Sequence, residues 1–411
     1  MHILIITQHF PPEIEPSAQK IFEFAKSLIT LGHRVDIITG FPNYPSGIIP
    51  YKYSGKFLTR EIVDGVQVYR TYIVPSDRQI GLRRLISEIS FMLSSFMFGI
   101  LTATSDYVMS TIPPLGPGLV ALLLCTIRHK PFLLEVRDPF MDGNKQEGPL
   151  VSRHMILQFA SWIENCIYRG ADHIFTISEG LKEILVMHRV PNSRISVIYS
   201  GSDPDQFNPE SKHSPPPWSS ILHNKFVVMY AGTIGISQRL ETLIEAARIL
   251  QNNDDIVFVV LGEGAEKEKI IRLCQHYGLD NVYFQNPRPR TDMPSCYAAA
   301  NVSVILLSNK PIHKCAIPTK TYDSMAMGKA IILSANSEAN RIINQAQCGI
   351  CIPPENSSKL AEAILYLYHN PDICGILGEK GRDFAVKNFS RQKVADEFCQ
   401  VLKEVEMKRH Q

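Results

Sequence analysis

Short apolar runs alternate with amphipathic stretches along most of the chain, and this alternation predicts an α/β fold with parallel sheets. In the first half, helical stretches such as 153–169 separate seven strand-like runs, at residues 3–7, 35–39, 66–70, 106–109, 132–136, 173–177 and 195–198. Runs of this length joined by helical crossovers are typical of βαβ units. The first half is therefore predicted to be one Rossmann-like domain.

A second α/β series follows a linker at 199–218 that is rich in Gly, Ser, Asp and Pro. Its strand-like runs lie at 226–230, 256–261, 282–284, 302–307 and 330–333, and the tail at 357–409 has helical spacing. Linker composition between two such series marks a domain boundary. We predict two domains, residues 1–203 and residues 204–411.

The segment 303–341 carries the clearest sign of a ligand site. An apolar run leads into a loop, a helix opens after Pro318 with Thr319, Lys320 and Asp323, and a second apolar run follows. Ligands of open α/β sheets bind beyond the carboxyl ends of the strands, and helix N-termini favour phosphates. Because Lys320 and Asp323 share a helix face, an ordinary surface ion pair is the alternative.

Two glycine turns follow strands of the second series. The turns Gly232-Thr-Ile-Gly235 and Gly262-Glu-Gly264 could direct backbone N–H groups at a phosphate, although glycines at such turns also serve packing. Neither turn is a P-loop or a full dinucleotide fingerprint. With Lys320, Arg288 and Arg290 they would form a diphosphate site at one sheet edge.

Composition and charge narrow the class of protein. The chain has 411 residues, and 42 Lys and Arg nearly balance 40 Asp and Glu, so no overall field favours nucleic acid. Nine scattered Cys and the absence of a signal peptide favour a reducing cytoplasm. There is no HExxH and no GxSxG, so neither metal hydrolysis nor serine acyl transfer has a motif.

Two apolar stretches, 85–101 and 115–127, fall short of a membrane span as uninterrupted apolar runs. Arg78, Arg83 and Arg84 precede the first stretch, and the second stretch leads into Arg128-His-Lys130. They are interpreted either as core helices or as an apolar surface with a basic rim resting on an anionic membrane. The sequence leaves both interpretations open.

Several motifs in order resemble the family 4 retaining nucleotide-sugar glycosyltransferases. They are Pro11-Pro12-Glu13, Leu31-Gly-His-Arg-Val35, Phe41-Pro-Asn-Tyr-Pro45, Pro113-Pro114, Val136-Arg-Asp138, Tyr199-Ser-Gly-Ser-Asp203, Gly232-Thr-Ile-Gly235 with Gln238, Gly262-Glu-Gly264 and the run from Pro318 to Lys329. The resemblance covers essentially the whole chain. It extends to enzymes of O-antigen and capsule synthesis, including UDP-N-acetyl-L-fucosamine transferases.

The resemblance implies a GT-B architecture: two Rossmann-like domains facing across a cleft, with the last helix crossing back to the first domain. Residues 1–203 would bind the acceptor and residues 204–411 the nucleotide sugar. The expected substrates are a UDP-sugar, with an N-acetylated deoxy-amino sugar, and a lipid-diphosphate-linked saccharide. No metal or cofactor is expected, and the expected location is the cytoplasm, including the cytoplasmic face of the inner membrane.

The resemblance also assigns roles to residues. The catalytic candidates are Asp138 and Lys320. The donor-binding candidates are Gly232, Thr233, Ile234, Gln238, Gly262, Gly264, Arg288, Arg290, Thr319, Lys320, Asp323 and Glu338. The acceptor-binding candidates are Glu13, Ser17, Asn43 and Tyr44.

The sequence departs from the family at the donor site. The first carboxylate of the family's Glu-x7-Glu pair is Cys315 here, and the second is Asp323. The charged diphosphate partners of the family fall on Thr233 and Gln238, so Lys320 would carry the charge. A nucleotide-sugar epimerase or hydrolase of the same fold, and a non-catalytic sugar-nucleotide-binding subunit, are the alternative functions.

Overall fold

The computed structural model describes residues 1–13, 16–44, 46–76, 82–102, 105–137 and 151–409. The chain divides into two compact units. Unit 1 consists of Met1–Tyr199 together with Val394–Gln411, and unit 2 of Ser200–Lys393. Each unit has its own largely parallel sheet, which confirms the predicted fold class. The boundary follows residue 199, slightly before the one predicted after residue 203.

Unit 1 contains eight strands and the helices that connect them. Its strands are β1 His2–Ile6, β2 Arg34–Gly40, β3 Leu58–Val63, β4 Val66–Thr71, β5 Tyr107–Ile112, β6 Phe132–Val136, β7 His173–Thr176 and β8 Ile195–Val197. Its described helices are α1 Pro16–Thr30, α2 Leu82–Thr102, α3 Leu115–Arg128, α4 Val151–Gly170 and α5 Glu179–Met187.

The sheet of unit 1 has the order β3-β4-β2-β1-β5-β6-β7-β8, parallel except for β3. Alternate residues of the buried strands face opposite layers, as the two-residue period requires. Leu4 and Ile6 face the layer that contains α2, α3 and α4. Ile3 and Ile5 face α1 and the end of the chain, where Phe398 packs. Both faces are thus covered, as expected of a largely parallel sheet.

Strand β3 was missed by the sequence analysis. It pairs antiparallel with β4 through a hairpin at Asp64 and Gly65, both of which have positive φ. Asp-Gly is a strong signal for a two-residue hairpin. The strand lies at the sheet edge and alternates exposed with half-buried positions, so it lacks the continuous apolar run that revealed its neighbours.

Unit 2 contains six strands, all parallel, in the order β11-β10-β9-β12-β13-β14. The strands are β9 Phe226–Ala231, β10 Ile256–Leu261, β11 Val282–Gln285, β12 Val302–Leu306, β13 Ala330–Ser334 and β14 Gly349–Ile352. The helices are α6 Glu241–Ile249, α7 Lys267–Tyr277, α8 Met293–Ala298, α9 Thr319–Ala326, α10 Glu338–Ala346, α11 Ser357–His369 and α12 Pro371–Phe389. A last helix, α13 Arg391–Arg409, begins in unit 2 and lies mostly in unit 1.

The four central strands of unit 2, β9, β10, β12 and β13, are almost continuously apolar and buried, which explains why their positions could be predicted. Because all six run in the same direction, their carboxyl ends meet at one edge. The segments that leave this edge begin at Gly232, Gly262, Asn286, Leu307 and Ala335. The donor-site candidates of the sequence analysis lie on these segments.

Candidate functional site

The two glycine turns of unit 2 pack directly on each other. A Cβ at Gly262 would lie 1.9 Å from the carbonyl oxygen of Gly232, and one at Gly264 would lie 2.2 Å from that of Ile234. The N–H of Gly232 donates to Leu261 at 2.9 Å, and the N–H of Gly262 donates to Gln285 at 3.1 Å. Gly262 and Gly264 therefore permit contact between two backbones, and these two N–H groups are already committed.

Ile234, a donor-binding candidate, is a structural residue. Its side chain is fully buried in the core of unit 2. Its N–H donates to the carbonyl of Glu263 at 2.8 Å, and its carbonyl accepts from the N–H of Glu266 at 3.1 Å. With its side chain in the core and its N–H paired, Ile234 has a structural role, and its contact with the donor stays a prediction.

Lys320 lies in the first turn of α9 with its amine withdrawn from solvent. Its Nζ is inaccessible and, within the described part of the chain, has no hydrogen-bond partner. The amine lies 3.8 Å from the ring centroid of Tyr230. Gly232, at φ +137°, leaves it room, because a Cβ there would be 3.0 Å from Nζ. Burial lowers the pKa of Lys320 to about 7.

The buried, unpaired amine is the most unusual feature of this edge. Burying an ammonium group without a counter-charge is costly, so burial favours its neutral form. Tyr230 supplies only an aromatic face, since its hydroxyl donates to the carbonyl of Thr233 at 2.6 Å. An anion that approached Nζ would restore the favourable protonated state. The arrangement is suited to a negatively charged ligand.

Asp323 does not pair with Lys320, which removes the alternative of a simple surface ion pair. Its carboxylate accepts from Nη1 and Nη2 of Arg290, both at 2.9 Å, and from the Ser202 hydroxyl at 2.7 Å. Arg290 in turn lies 4.7 Å from the ring centroid of Phe207. The bidentate pair fixes the orientation of the nearly buried carboxylate. Arg290 is thus held in place by Asp323, and its predicted role as a diphosphate partner stays a prediction.

A hydrogen-bond inventory leaves Asp323 one acceptor position. Oδ1 accepts from Arg290 and from Ser202, whereas Oδ2, among the described residues, accepts only from Arg290. A carboxylate oxygen has two lone pairs, so Oδ2 can accept one more hydrogen bond. The predicted ribose partner is therefore held in a fixed orientation, and one lone pair of Oδ2 has no partner among the described residues.

The remaining donor-side candidates lie around the same sheet edge. Thr319 is the first residue of α9, where the cap residue Pro318 makes no side-chain hydrogen bond to the first turn. Glu338 opens α10 and accepts from Arg341 at 3.0 Å. Thr233, Gln238 and Arg288 stay predictions, since none of them makes a contact that defines a ligand position.

A short 3₁₀ helix, Pro311–Cys315, precedes α9 and carries a histidine to which the sequence analysis gave no role. The Nε2 atom of His313 is buried and has no partner among the described residues. Burial and the nearby Lys310 lower the pKa of His313. Cys315, at the position of the family's first carboxylate, ends this turn and is only half-buried. No local sequence signal distinguished His313 from an ordinary loop residue.

Three of the four acceptor-side candidates meet in unit 1 through one carboxylate. Oε1 of Glu13 accepts from the backbone N–H of Asn43 at 2.9 Å and of Tyr44 at 2.8 Å. Its Oε2 is 2.9 Å from Nδ1 of His9. Glu13 is nearly fully buried, so its visible task is to hold the loop after β2. His9 is an additional member that the sequence analysis missed.

The fourth acceptor-side candidate, Ser17, lies on α1, and its carbonyl accepts from Nη1 of Arg137 at 3.3 Å. Arg137 also pairs with Glu135 at 2.9 Å. The predicted catalytic residue Asp138 lies outside the described residues. Arg137 received no role from the sequence, yet it is a largely buried cation at the end of β6.

Among the described residues, no group of three or more His, Cys, Asp or Glu side chains could hold a metal ion. The nine cysteines are all free thiols.

Both halves of the chain match profiles of known protein families. Residues 19–206 match Glycosyltransferase Family 4, and residues 217–384 match Glycosyl transferases group 1. A relative named as the colanic acid biosynthesis glycosyl transferase WcaI of Escherichia coli strain K12 is 23% identical, over 97% of this chain and 98% of its own. These findings support a glycosyltransferase assembled from two family domains.

Solved structures share the fold across the whole chain. Sucrose-phosphate synthase from Thermosynechococcus elongatus has a TM-score of 0.76 at 18% identity and covers 99% of this chain and 100% of its own. Anabaena HepE, solved in complex with UDP-glucose, has a TM-score of 0.72 at 15% identity and covers 98% of this chain and 100% of its own. At these identities the likeness establishes the GT-B fold.

Proposed function

We infer that this chain, which carries the two domains of a family 4 glycosyltransferase of GT-B fold, moves a sugar from a UDP-sugar to a lipid-diphosphate-linked saccharide with retention of configuration. The proposed sugar is an N-acetylated deoxy-amino sugar, and the proposed process is assembly of a surface polysaccharide such as capsule or O-antigen. The WcaI relative, named for colanic acid biosynthesis, supports the process. The HepE complex with UDP-glucose supports the nucleotide.

The buried, unpaired amine of Lys320 is the observation that carries the proposal. A nucleoside diphosphate is the leaving group of such a transfer, and negative charge grows on it as the glycosidic bond breaks. The amine and the first N–H groups of α9 lie at one helix N-terminus, where they would meet the same phosphate. Because the site contributes the amine without a competing partner, Lys320 can stabilise the leaving group as its charge develops.

Asp323 would hold the nucleoside. The open lone pair on Oδ2 would accept a hydrogen bond from a ribose hydroxyl, while Arg290 and Ser202 keep the carboxylate in position. Two groups at opposite ends of one helical turn would then bind two parts of one ligand. Lys320 would bind the diphosphate, and Asp323 the ribose.

The transfer itself would pass through an oxocarbenium-like transition state. The acceptor hydroxyl attacks the anomeric carbon on the face that the diphosphate leaves, and its proton passes to the departing phosphate oxygen. The new glycosidic bond forms as the sugar–phosphate bond breaks, so the products are the extended saccharide and UDP. Asp138 is proposed to orient the acceptor or the sugar.

Acceptor dependence tests this function. Purified protein is incubated with UDP-sugars and, in parallel, GDP-sugars, with and without a lipid-diphosphate-linked saccharide, and released nucleotide is measured. We expect UDP release only when the acceptor is present, and the anomeric configuration of the product, read by NMR, should match that of the donor.

Other outcomes would identify a different protein. Nucleotide release that is equally fast without acceptor would indicate a hydrolase, and a changed sugar without acceptor would indicate an epimerase. Binding of UDP-sugars without turnover in any mixture would indicate a non-catalytic subunit. An inverted product would overturn the retaining mechanism while leaving transfer intact.

A further inference from the structure

Helix α2 presents a row of apolar residues to the outside, while three of its serines and Phe91 face the protein. Seven large apolar side chains are between 40% and 80% exposed, namely Leu85, Ile86, Ile89, Leu93, Met97, Ile100 and Leu101. Ser87, Ser94 and Ser95 are buried. An ordinary surface helix has a polar outer face, so the exposed apolar row of α2 is unusual.

The buried serines are bonded into unit 1, so the orientation of α2 is fixed. The Ser94 hydroxyl donates to the carbonyl of Tyr72 at 2.6 Å, and Ser90 accepts from the N–H of Val74 at 2.8 Å. Phe91, on the same side as the serines, is fully buried in the core. Rotating the helix to hide its apolar stripe would break these contacts.

The neighbouring helix α3 extends the apolar face. A Cβ at Gly99 of α2 would lie 2.5 Å from Leu124 of α3, so the two helices lie in close contact. Arg128 of α3 also donates to the carbonyl of Ile100. Leu123 and Ile127, one helical turn apart, are exposed on α3. Together with the seven residues of α2 they form what we call the α2–α3 face.

Basic residues flank the α2–α3 face at both ends. Arg83 and Arg84 are exposed at the start of α2, and Arg84 contacts Glu88 at 3.1 Å. Arg128, His129 and Lys130 lie at the end of α3, beside the end of α2. Cations placed around an exposed apolar surface match the headgroup layer of an anionic membrane, where apolar side chains enter the acyl boundary.

We propose that the α2–α3 face docks unit 1 on the surface of an anionic lipid bilayer. By length and composition, Arg83–Leu101 is the one helix among the described residues that could cross a membrane, with 28% of that window buried. Its serines and Phe91 hold it along the sheet, so it lies in the membrane plane and does not span the bilayer. The proposal concerns binding alone and does not depend on the proposed transfer.

Vesicle flotation of the full chain tests the docking. The probe is a set of vesicles of phosphatidylcholine with or without phosphatidylglycerol, at low and high salt. We expect the protein to float with the anionic vesicles at low salt and to be released as salt rises, because salt screens the attraction between the basic residues and the anionic headgroups. Flotation on neither vesicle, or equal flotation on both at every salt concentration, would overturn the proposal.

Two variants separate the apolar and the basic contributions. Leu93→Ser with Met97→Ser should weaken flotation about tenfold, because two side chains leave the acyl boundary. Arg83→Glu with Lys130→Glu should weaken it on anionic vesicles by a similar factor. Ile249→Ser with Ile376→Ser, two comparably exposed positions in unit 2, is the matched control and should float like the wild type.

A second copy of the chain could also bind the α2–α3 face, and the same variants test for such a dimer. Sedimentation velocity without lipid should give one species for the wild type and for Leu93→Ser with Met97→Ser. A wild-type dimer that this pair of substitutions converts to monomer, without any change in flotation, would identify a protein interface and reject the membrane. Equal thermal melting of the variants would show that the fold is retained.

Discussion

Glu13 and Lys320 are both buried ionisable residues, but they differ in their hydrogen-bond partners. This difference distinguishes a residue that supports the fold from one that is suited to bind a ligand. Glu13 of unit 1 has both carboxylate oxygens engaged, one by two backbone N–H groups and the other by His9. Lys320 of unit 2 has an inaccessible amine without a hydrogen-bond partner in the described chain. A buried group whose hydrogen bonds are all made within the protein stabilises the fold, whereas a buried group without a hydrogen-bond partner calls for another explanation, such as a ligand.

The largest expected effect is that of Lys320→Met. Methionine fills a similar volume without the amine, so transfer should slow more than 100-fold, or about 3 kcal/mol, the scale for loss of one preorganised stabiliser. Turnover with saturating substrates is the measurement. Lys314→Met, at an exposed neighbouring lysine, is the control and should keep wild-type turnover.

The stability of the Lys320→Met variant tests whether Lys320, unlike Glu13, is dispensable for the fold. Removing a buried amine that has no hydrogen-bond partner in the described part of the chain should leave the protein at least as resistant to urea as the wild type, because no hydrogen bond to those residues is lost. A variant that turns over at the wild-type rate would remove Lys320 from the mechanism. A variant that unfolds much more easily would make Lys320 a scaffold residue like Glu13.

A smaller, purely structural effect is expected at Glu13. Glu13→Ala would leave the N–H groups of Asn43 and Tyr44 buried without an acceptor, which should reduce the free energy of unfolding by about 2–3 kcal/mol. Glu13→Gln keeps one oxygen for both N–H groups and should cost under about 1 kcal/mol. Urea unfolding measures both. Normal stability with abolished transfer in Glu13→Gln would place Glu13 in the chemistry instead.

The smallest effect is a pH dependence of UDP binding. Burial lowers the pKa of Lys320 to about 7 in the free protein, whereas a bound diphosphate would raise it by favouring the charged amine. Binding then takes up a proton above pH 7, so affinity should be level just below that pH and fall about tenfold per unit above it, until the pKa of the complex is reached.

Calorimetric titration with UDP between pH 7 and 9 measures this dependence, and buffers of different ionisation enthalpy report the proton uptake directly. Lys320→Met should remove most of the slope. Affinity that stays level through this range in the wild type would mean that the amine is already protonated in the free protein.

The stability of the free protein should also depend on pH through the same pKa. Because the pKa of Lys320 is lowered in the folded state, the unfolded chain binds more protons between pH 7 and the ordinary lysine pKa of 10.5. The destabilisation caused by burying this amine is therefore largest below pH 7 and decreases as pH rises through that window, so the free energy of unfolding should rise with pH.

The buried strands could be predicted because each is a continuous apolar run. The periodicity and length that identify β9, β10 and β12 are local properties of the sequence. The segment that opens α9 could also be found, since Pro318 and the residues after it mark a helix start. Edge strand β3, whose side chains alternate between exposed and half-buried, was missed, although Asp64-Gly65 is a sequence signal for its hairpin.

The partners within the site could not be predicted, because they depend on packing between distant segments. Arg290 reaches Asp323 from 33 residues earlier in the chain, so helical spacing pointed to Lys320 instead. Likewise, the strand-to-helix turns suggested N–H groups free for phosphate, whereas the structure commits those of Gly232 and Gly262 to neighbouring carbonyls. Spacing identifies which residues share a face, but it does not say which competing partner lies closest.

The contact between the two glycine turns has a consequence for anyone who screens this protein by saturation mutagenesis. Any side chain at position 262 or 264 would collide with main-chain atoms of residues 232 or 234, which no neighbouring substitution can shorten. Both positions should therefore reject every replacement, and no second-site suppressor should be recovered at a side chain. Such intolerance to substitution resembles that of a catalytic residue, yet here it would arise because a side chain at either position clashes with the backbone of the neighbouring turn.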